Sequence, residues 1–249
     1  MLIICWDFDG TLVSSEIIYK NIFSKYLNKN NYSVNLHFAK YGGKHPSNVL
    51  EDLKEEGLID KNLELNENII NSDFKKFLDK DGLLLTDGIV KILNDLKSFK
   101  NILMAIVTST NKKDFELKYN NSSVSVLKEY FNIDKNIYIC GEVGNKELKP
   151  SANGYLYAVN DIIMKNNINS EKNILITIED SISGCKSALN AKNILKDKID
   201  TIIIGYPIAN PYIDEIELKN SGADFVFRDS NELLKFLKKL AVRLGLEPR

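Results

Sequence analysis

The sequence predicts an α/β protein: a doubly wound parallel sheet with an all-α cap inserted near its start. Three observations lead there. Short, almost continuously apolar runs recur along the 249 residues, as in strands buried on both faces. Helical patterns lie between most of these runs, and such alternation implies right-handed crossovers. One interval, residues 15–85, breaks the rhythm with helical patterns alone. The expected organisation is a core of residues 1–14 and 86–249 and a helical cap of residues 15–85.

The first strand is read at 2–8, LIICWDF. In the cap interval, SEIIYKNIFSKYL spaces Ile17, Ile18, Ile22, Phe23, Tyr26 and Leu27 as on one helix face, and SNVLEDLKEEGL and NIINSDFKKFLDK also read as helices. The core resumes with a helix over 87–100 and a strand at 102–109, ILMAIVTS. Helical pieces over 111–131 precede a strand at 137–141, IYICG, and a helix over 151–166. Strands follow at 174–180, 201–205 and 224–227, with helices over 183–192 and 230–241. The closing AVRLGLEPR has no evident place in the sheet.

Composition narrows the function classes. With 33 basic and 34 acidic residues the net charge is -1, which offers no global attraction to nucleic acid or to an anionic membrane. The LKKL stretch near the end reads as a solvated helix face. Cys5, Cys140 and Cys185 are odd in number and fit no zinc spacing. Cys5 and Cys140 fall inside apolar runs, as small core residues do, and the pattern suits a reducing, cytoplasmic compartment. MLIICWDFDG has no basic leader, and no apolar run is long enough to span a bilayer.

The chemistry concentrates at strand ends. IICWDFDGTLVSSE places Asp7 and Asp9 two apart where the first strand finishes. Residues two apart in a strand share a face, so both acids are expected to converge on one spot. Like charges that close need a cation between them or a retained proton. Ligands of open α/β sheets bind at the carboxyl ends of the strands. At that edge the second strand brings Thr108 and Ser109, Lys149-Pro150 opens the helix after the third, and the fourth brings Glu179, Asp180 and Ser181. An all-oxygen set suits Mg²⁺, a carboxylate can attack phosphorus, and nearby cations and donors stabilise a transferring phosphoryl group. Thr108, Lys149 and the N–H groups after Asp7 are candidates for the last task.

DFDGT at 7–11, VTSTN at 107–111, KPSANGYL at 149–156 and IEDSISG at 178–184 resemble the four motifs of the haloacid dehalogenase (HAD) superfamily, in the family's order. The resemblance covers nearly the whole chain and implies a HAD-like, Rossmann-type core with a helical cap, in the neighbourhood of phosphoglycolate phosphatases and β-phosphoglucomutases. It implies that Asp7 is the nucleophile and a Mg²⁺ ligand. It implies that Asp9 protonates the leaving oxygen and then activates water, while its carbonyl binds the metal. Thr108, Ser109 and Lys149 would hold phosphoryl oxygens, Lys149 being preferred to Lys146 because it precedes Pro150. Asp180 would bind Mg²⁺, with Glu179 supporting it directly or through water. The partner implied is a small phosphorylated metabolite, selected by the cap as it closes. Lys44 and His45, in YGGKHPSN, resemble a substrate-specificity loop, although GGKHP reads equally as a plain connection between helices.

The chain departs from the family pattern in places. Ala152 and Asn153 replace a usual Pro and Asp, and AKN at 191–193 stands where AGM is common, so Asn193 is expected in the left-handed cap that glycine normally serves. The mutase subgroup carries a His ten residues beyond the second Asp, where this chain has Tyr19, which favours hydrolysis. A dehalogenase has no use for an acid at Asp9. A regulatory protein on the same scaffold is the alternative from another class.

Overall fold

The computed structural model describes residues 1–25, 46–62, 65–168, 173–210 and 213–249. Strands β1 (Leu2–Trp6), β2 (Ile102–Thr108), β3 (Ile137–Ile139), β4 (Ile174–Glu179), β5 (Asp200–Gly205) and β6 (Phe225–Val226) form one sheet in the order β3-β2-β1-β4-β5-β6, parallel at every pairing. The chain builds outward from β1 to β3, then returns to β4 beside β1 and builds the other way. The switch point therefore lies between β1 and β4, the place where open sheets of this order bind ligands.

Helices α1 (Ser15–Ser24), α2 (Pro46–Glu55) and α3 (Glu67–Asp81) lie between β1 and β2, followed by α4 (Ile89–Lys97). Helix α5 (Lys112–Tyr119) and a 3₁₀ segment, Ser122–Glu129, connect β2 to β3. Helices α6 (Asn153–Lys165), α7 (Ile182–Leu195) and α8 (Glu215–Asn220) join the remaining strands, and α9 (Ser230–Arg243) follows β6. The alternation of β1 distributes these helices. Leu2, Ile4 and Trp6 face a cluster with Ile92 and Leu96 of α4 and Leu233 and Leu237 of α9. Ile3 and Cys5 face Tyr155 and Ala158 of α6, Cys185 and Ala188 of α7 and Leu218 of α8. All three cysteines are buried and unpaired. Among the described residues, no helix is long and apolar enough to cross a membrane.

The inserted module is all-α among the described residues. Helix α3 packs against both α1 and α2, and Ile18, Ile22, Leu53, Ile70 and Phe74 join the same apolar cluster as one face of the sheet. The chain leaves and re-enters the core side by side. Ser14 N–H donates to the Leu84 carbonyl at 2.9 Å, and Thr86 N–H donates to the Leu12 carbonyl at 3.0 Å. Ser123 ties down the returning segment: its Oγ accepts the Leu83 N–H at 2.8 Å and lies 2.7 Å from the Leu83 carbonyl.

Four sequence expectations change. Strand β1 ends at Trp6 rather than residue 8, so Asp7 and Asp9 lie in the turn beyond it. Helix α8 was not expected; at six residues it is too short for periodicity to register, although Asp214 caps it by accepting the Ile216 N–H at 3.1 Å. Asn193 is not a left-handed cap, because α7 continues two residues past it to Leu195 and closes with a right-handed Lys196. The tail does have a place outside the sheet, since Lys100 N–H donates to the Glu247 carbonyl at 3.0 Å and pins it beside residues 98–100.

Replacing Ser123 by Ala should cost about 1 kcal/mol, the ordinary net worth of such a bond. Urea denaturation measures the loss. Hydrogen exchange should show faster opening at Leu83, where the bond is lost, with the central strands unchanged.

Candidate active site

The register of the sheet sets the level of the site. Trp6 pairs with Ile106 on one side and Ile178 on the other, so Asp7, Val107 and Glu179 arrive together at the carboxyl edge. Asp7 N–H extends the ladder to the Ile178 carbonyl at 2.9 Å. The turn then reverses at Gly10, whose φ of +82° suits glycine, and a Cβ there would overlap Asp180 Oδ2. Glycine at this point lets Asp180 come up against the turn.

Asp7 is buried, and its Oδ1 lies 2.5 Å from Lys149 Nζ. The same ammonium donates to the Val107 carbonyl at 2.8 Å and pairs with Glu179 Oε1 at 2.8 Å. Ser109 Oγ accepts the Lys149 N–H at 3.0 Å and so fixes the loop that presents the lysine. Thr108 Oγ1 accepts the Thr110 N–H at 3.1 Å. Glu179 is fully buried; its Oε1 also accepts the Tyr155 hydroxyl, while Oε2 has no hydrogen-bond partner. A Cβ at Gly184 would overlap that oxygen, so Gly184 makes the room it occupies. Asp180 Oδ2 accepts from Asn210 Nδ2 at 3.1 Å.

One oxygen from each of Asp7, Glu179 and Asp180 can be chosen so that all three lie within 4.8 Å of one another. Of these three buried carboxylates, Asp7 and Glu179 share Lys149, while Asp180 has the neutral Asn210 amide. Burial, with the negative charges of Glu179 and Asp9 and against the pull of Lys149, lifts Asp7 to about 8. Burial, then Asp7, raises Asp180 well above the carboxylate range. Burial also works against the Lys149 ammonium, but Asp7 and Glu179 outweigh it and hold the lysine charged. An all-oxygen cluster with excess negative charge and an orphaned carboxylate oxygen fits a hard divalent cation.

The second acid opens on the same cavity but has a different set of partners. Asp9 Oδ1 lies 2.6 Å from Lys118 Nζ and accepts the Ser15 hydroxyl; Oδ2 accepts the Thr110 hydroxyl. Burial works to raise its pKa, but Lys118 and the two hydroxyls prevail and hold Asp9 below its ordinary value. Because the strand stops at Trp6, strand geometry no longer aligns the two side chains, and each has its own lysine. Both still line one cavity of about 290 Å³, together with Glu16, Tyr19 and Asn48 from the helical module. Burial, then the Asp9 charge, lifts Glu16 to about 7. A larger cavity of about 490 Å³ opens at the other end of the sheet, by Ile102 and Asn136, away from these carboxylates.

The chain matches the family described as haloacid dehalogenase-like hydrolase over residues 4–194. It belongs to that family. Solved structures agree on the fold. A haloacid dehalogenase-like protein of unknown function from Agrobacterium tumefaciens is 21% identical, with a TM-score of 0.71 over 96% of this chain and 98% of its own. A HAD family hydrolase from Deinococcus radiodurans, with bound phosphate and sodium, is 21% identical, with a TM-score of 0.68 over 99% and 97% of the two chains. A putative β-phosphoglucomutase from Thermotoga maritima is 23% identical, with a TM-score of 0.64 over 96% and 99%. Among curated proteins, none matches.

Asp7, Asp9, Thr108, Ser109, Lys149 and Asp180 line the same cavity of this HAD-family hydrolase, and Glu179 pairs with Lys149. Lys44 and His45 lie outside the described residues. Sequence reasoning missed Lys118, Tyr155 and Asn210. Tyr155 stands inside the third motif, but neither Lys118 nor Asn210 belongs to any motif.

The burial of these acids has a pH consequence. Folded Asp7 keeps its proton up to about pH 8, whereas an unfolded aspartate loses it near about 4. The native state therefore binds more protons across that window, and stability falls as pH rises through it. Glu16, lifted to about 7, acts in the same direction. In chelator the melting temperature should fall between about pH 5 and about pH 8, and added Mg²⁺ should restore more of it at the higher pH. A cation effect absent at both pH values would show that the cluster holds none.

Proposed function

We propose that this protein is a Mg²⁺-dependent phosphatase that hydrolyses a small phosphomonoester through an aspartyl-phosphate on Asp7. The observation that carries the reading is the division of labour between the two acids. Asp7 lies in the carboxylate cluster beside Lys149, while Asp9 stands in the same cavity with a separate set of donors. Bound phosphate in the Deinococcus radiodurans hydrolase supports a phosphoryl ligand here. The division into a core of 1–14 and 86–249 and a cap of 15–85 belongs to the same reading, as does a cytoplasmic location.

Asp7 Oδ attacks phosphorus, and the bond from phosphorus to the ester oxygen breaks. Asp9, held ionised by Lys118 in the resting site, takes up a proton as the negatively charged ester binds beside it and passes that proton to the leaving oxygen. Asp9 then takes a proton from water, whose oxygen attacks the phosphorus and releases inorganic phosphate and the Asp7 carboxylate. Lys149, Thr108 and Ser109 stabilise the equatorial oxygens, and Glu179 with Tyr155 keeps Lys149 in place. Asp7, Asp180 and the Asp9 carbonyl would hold Mg²⁺. Glu179 Oε2, without a hydrogen-bond partner, would support it directly or through water. When bound, the cation offsets the charge of the phosphoryl group. Tyr19, which lines the cavity, has no imidazole to offer, and this favours hydrolysis over a mutase cycle.

Phosphate release from a panel of phosphomonoesters, with Mg²⁺ and with excess chelator, tests the reading. Turnover should require the cation, and Asp7→Asn should bring it to background. Full turnover in chelator after dialysis, or near-wild-type activity of Asp7→Asn, would overturn the corresponding role.

Asp9→Asn should leave attack possible but remove the proton donor and the later base. The loss should be on the order of a hundredfold or more for a poor leaving group and smaller for an activated aryl ester. Rapid quench with intact-mass analysis should then find the phosphorylated protein. Equal losses on both esters with no such species would leave Asp9 without an acid/base role.

A further inference from the structure

Lys118 belongs to none of the motifs, yet it is 3% exposed and meets Asp9 at 2.6 Å. It lies on α5 between Phe115 and Tyr119, both buried. A lysine is rarely enclosed this way unless its charge is matched on every side. Asp9 matches it on one side. On another, the ammonium lies 5.2 Å from the centre of the Tyr19 ring and 5.3 Å from that of Phe74, within the range of cation–π attraction. Those two rings are themselves stacked at 4.6 Å. Tyr19 belongs to α1 and Phe74 to α3, so both come from the helical module.

The Asp9 carboxylate is correspondingly well held. Lys118 from α5 and Ser15 from the first turn of α1 take Oδ1, and Thr110 from the loop before α5 takes Oδ2. Two of these anchors come from the core, and one comes from the module, whose rings also cover the Lys118 ammonium.

We propose that Lys118 is a positioning residue for Asp9 whose placement is completed by the cap, through the Tyr19–Phe74 ring pair. This rests on the reading above, in which Asp9 serves the leaving oxygen. The ion pair sets the angle of the carboxylate, and the rings keep the ammonium from turning out to water. A plain core-to-cap staple would use the same contacts for stability alone, and the two roles separate in kinetics.

The test uses the full chain with Lys118→Met and Lys118→Arg, assayed on an activated aryl phosphate and on an alkyl phosphate. Lys118→Met should lower kcat on the alkyl ester on the order of tenfold to a hundredfold, part of the usual acid–base contribution, with KM little changed. The loss on the aryl ester should be several-fold smaller. Lys118→Arg should recover most of the activity, since a guanidinium can pair with a carboxylate and lie over rings. Equal losses on both esters, or none on either, overturn the proposal. Should Lys118→Met fail to fold, Tyr19→Leu keeps the ion pair and carries the same expectation at smaller size.

A readout without turnover separates this from the phosphatase reading. Amide exchange in α1 and α3 should quicken in Lys118→Met while β1 and β4 stay protected. Unchanged exchange would overturn the contribution of the cap. If the wild-type chain released phosphate from no ester, the phosphatase reading would fail, and exchange would still report whether Lys118 joins cap to core.

Discussion

Everything at the carboxyl edge answers to one constraint: carboxylates are taken out of water beside one another. Asp7, Glu179 and Asp180 are all buried; the charge of Glu179 adds to the cost of ionising Asp7, and those of Asp7 and Glu179 add to that of Asp180. Lys149 bridges Asp7 and Glu179, Tyr155 donates to Glu179 and Asn210 to Asp180, and two glycines make space that any larger side chain would close. An arrangement so costly in an apolar core persists where it does chemistry. The fourth acid, Asp9, is kept out of this crowd by a lysine of its own.

The fold delivers these groups without needing long loops. Asp7 and Asp180 follow neighbouring strands on the two sides of the switch point, so the sheet register itself sets their spacing. Ser181 caps α7 by accepting the Gly184 N–H at 3.1 Å, and Asn111 caps α5 by accepting the Asp114 N–H at 2.9 Å. Two helices therefore start at the cavity with their positive ends towards it. The sheet faces differ in what they carry. One packs plain crossover helices, while the other runs continuously into the core of the helical module.

The sheet was legible because strands buried on both faces are written as unbroken apolar runs, and the four motifs sit where those runs end. What escaped had weaker marks. Lys118 reads as one more surface lysine in a helix rich in lysine, and only the fold shows it enclosed. Asn210 reaches Asp180 from the loop after β5, thirty residues along the chain, with no motif to announce it. Helix α8 is shorter than two turns, below the length at which apolar spacing carries information. The spacing of Asp7 and Asp9 did not reveal that each would have a different lysine. A spacing of two fixes a common face only within a strand, and β1 stops at Trp6.

The two crossings between core and module lie against each other, joined by the bonds from Ser14 to Leu84 and from Thr86 to Leu12. An insert whose ends meet closes on itself, and lengthening it adds little closure entropy. The module is thus joined to the sheet at one place in the chain, while its apolar residues share a cluster with one sheet face. Such an arrangement permits exchange. A different helical module could be grafted between the same two crossings, provided it kept the apolar residues that pack towards the sheet, a hydroxyl at the Ser15 position and rings over Lys118. The carboxylate cluster would not need rebuilding, and a new preference for the non-reacting half of a substrate could evolve, or be engineered, by transplanting one contiguous stretch of chain.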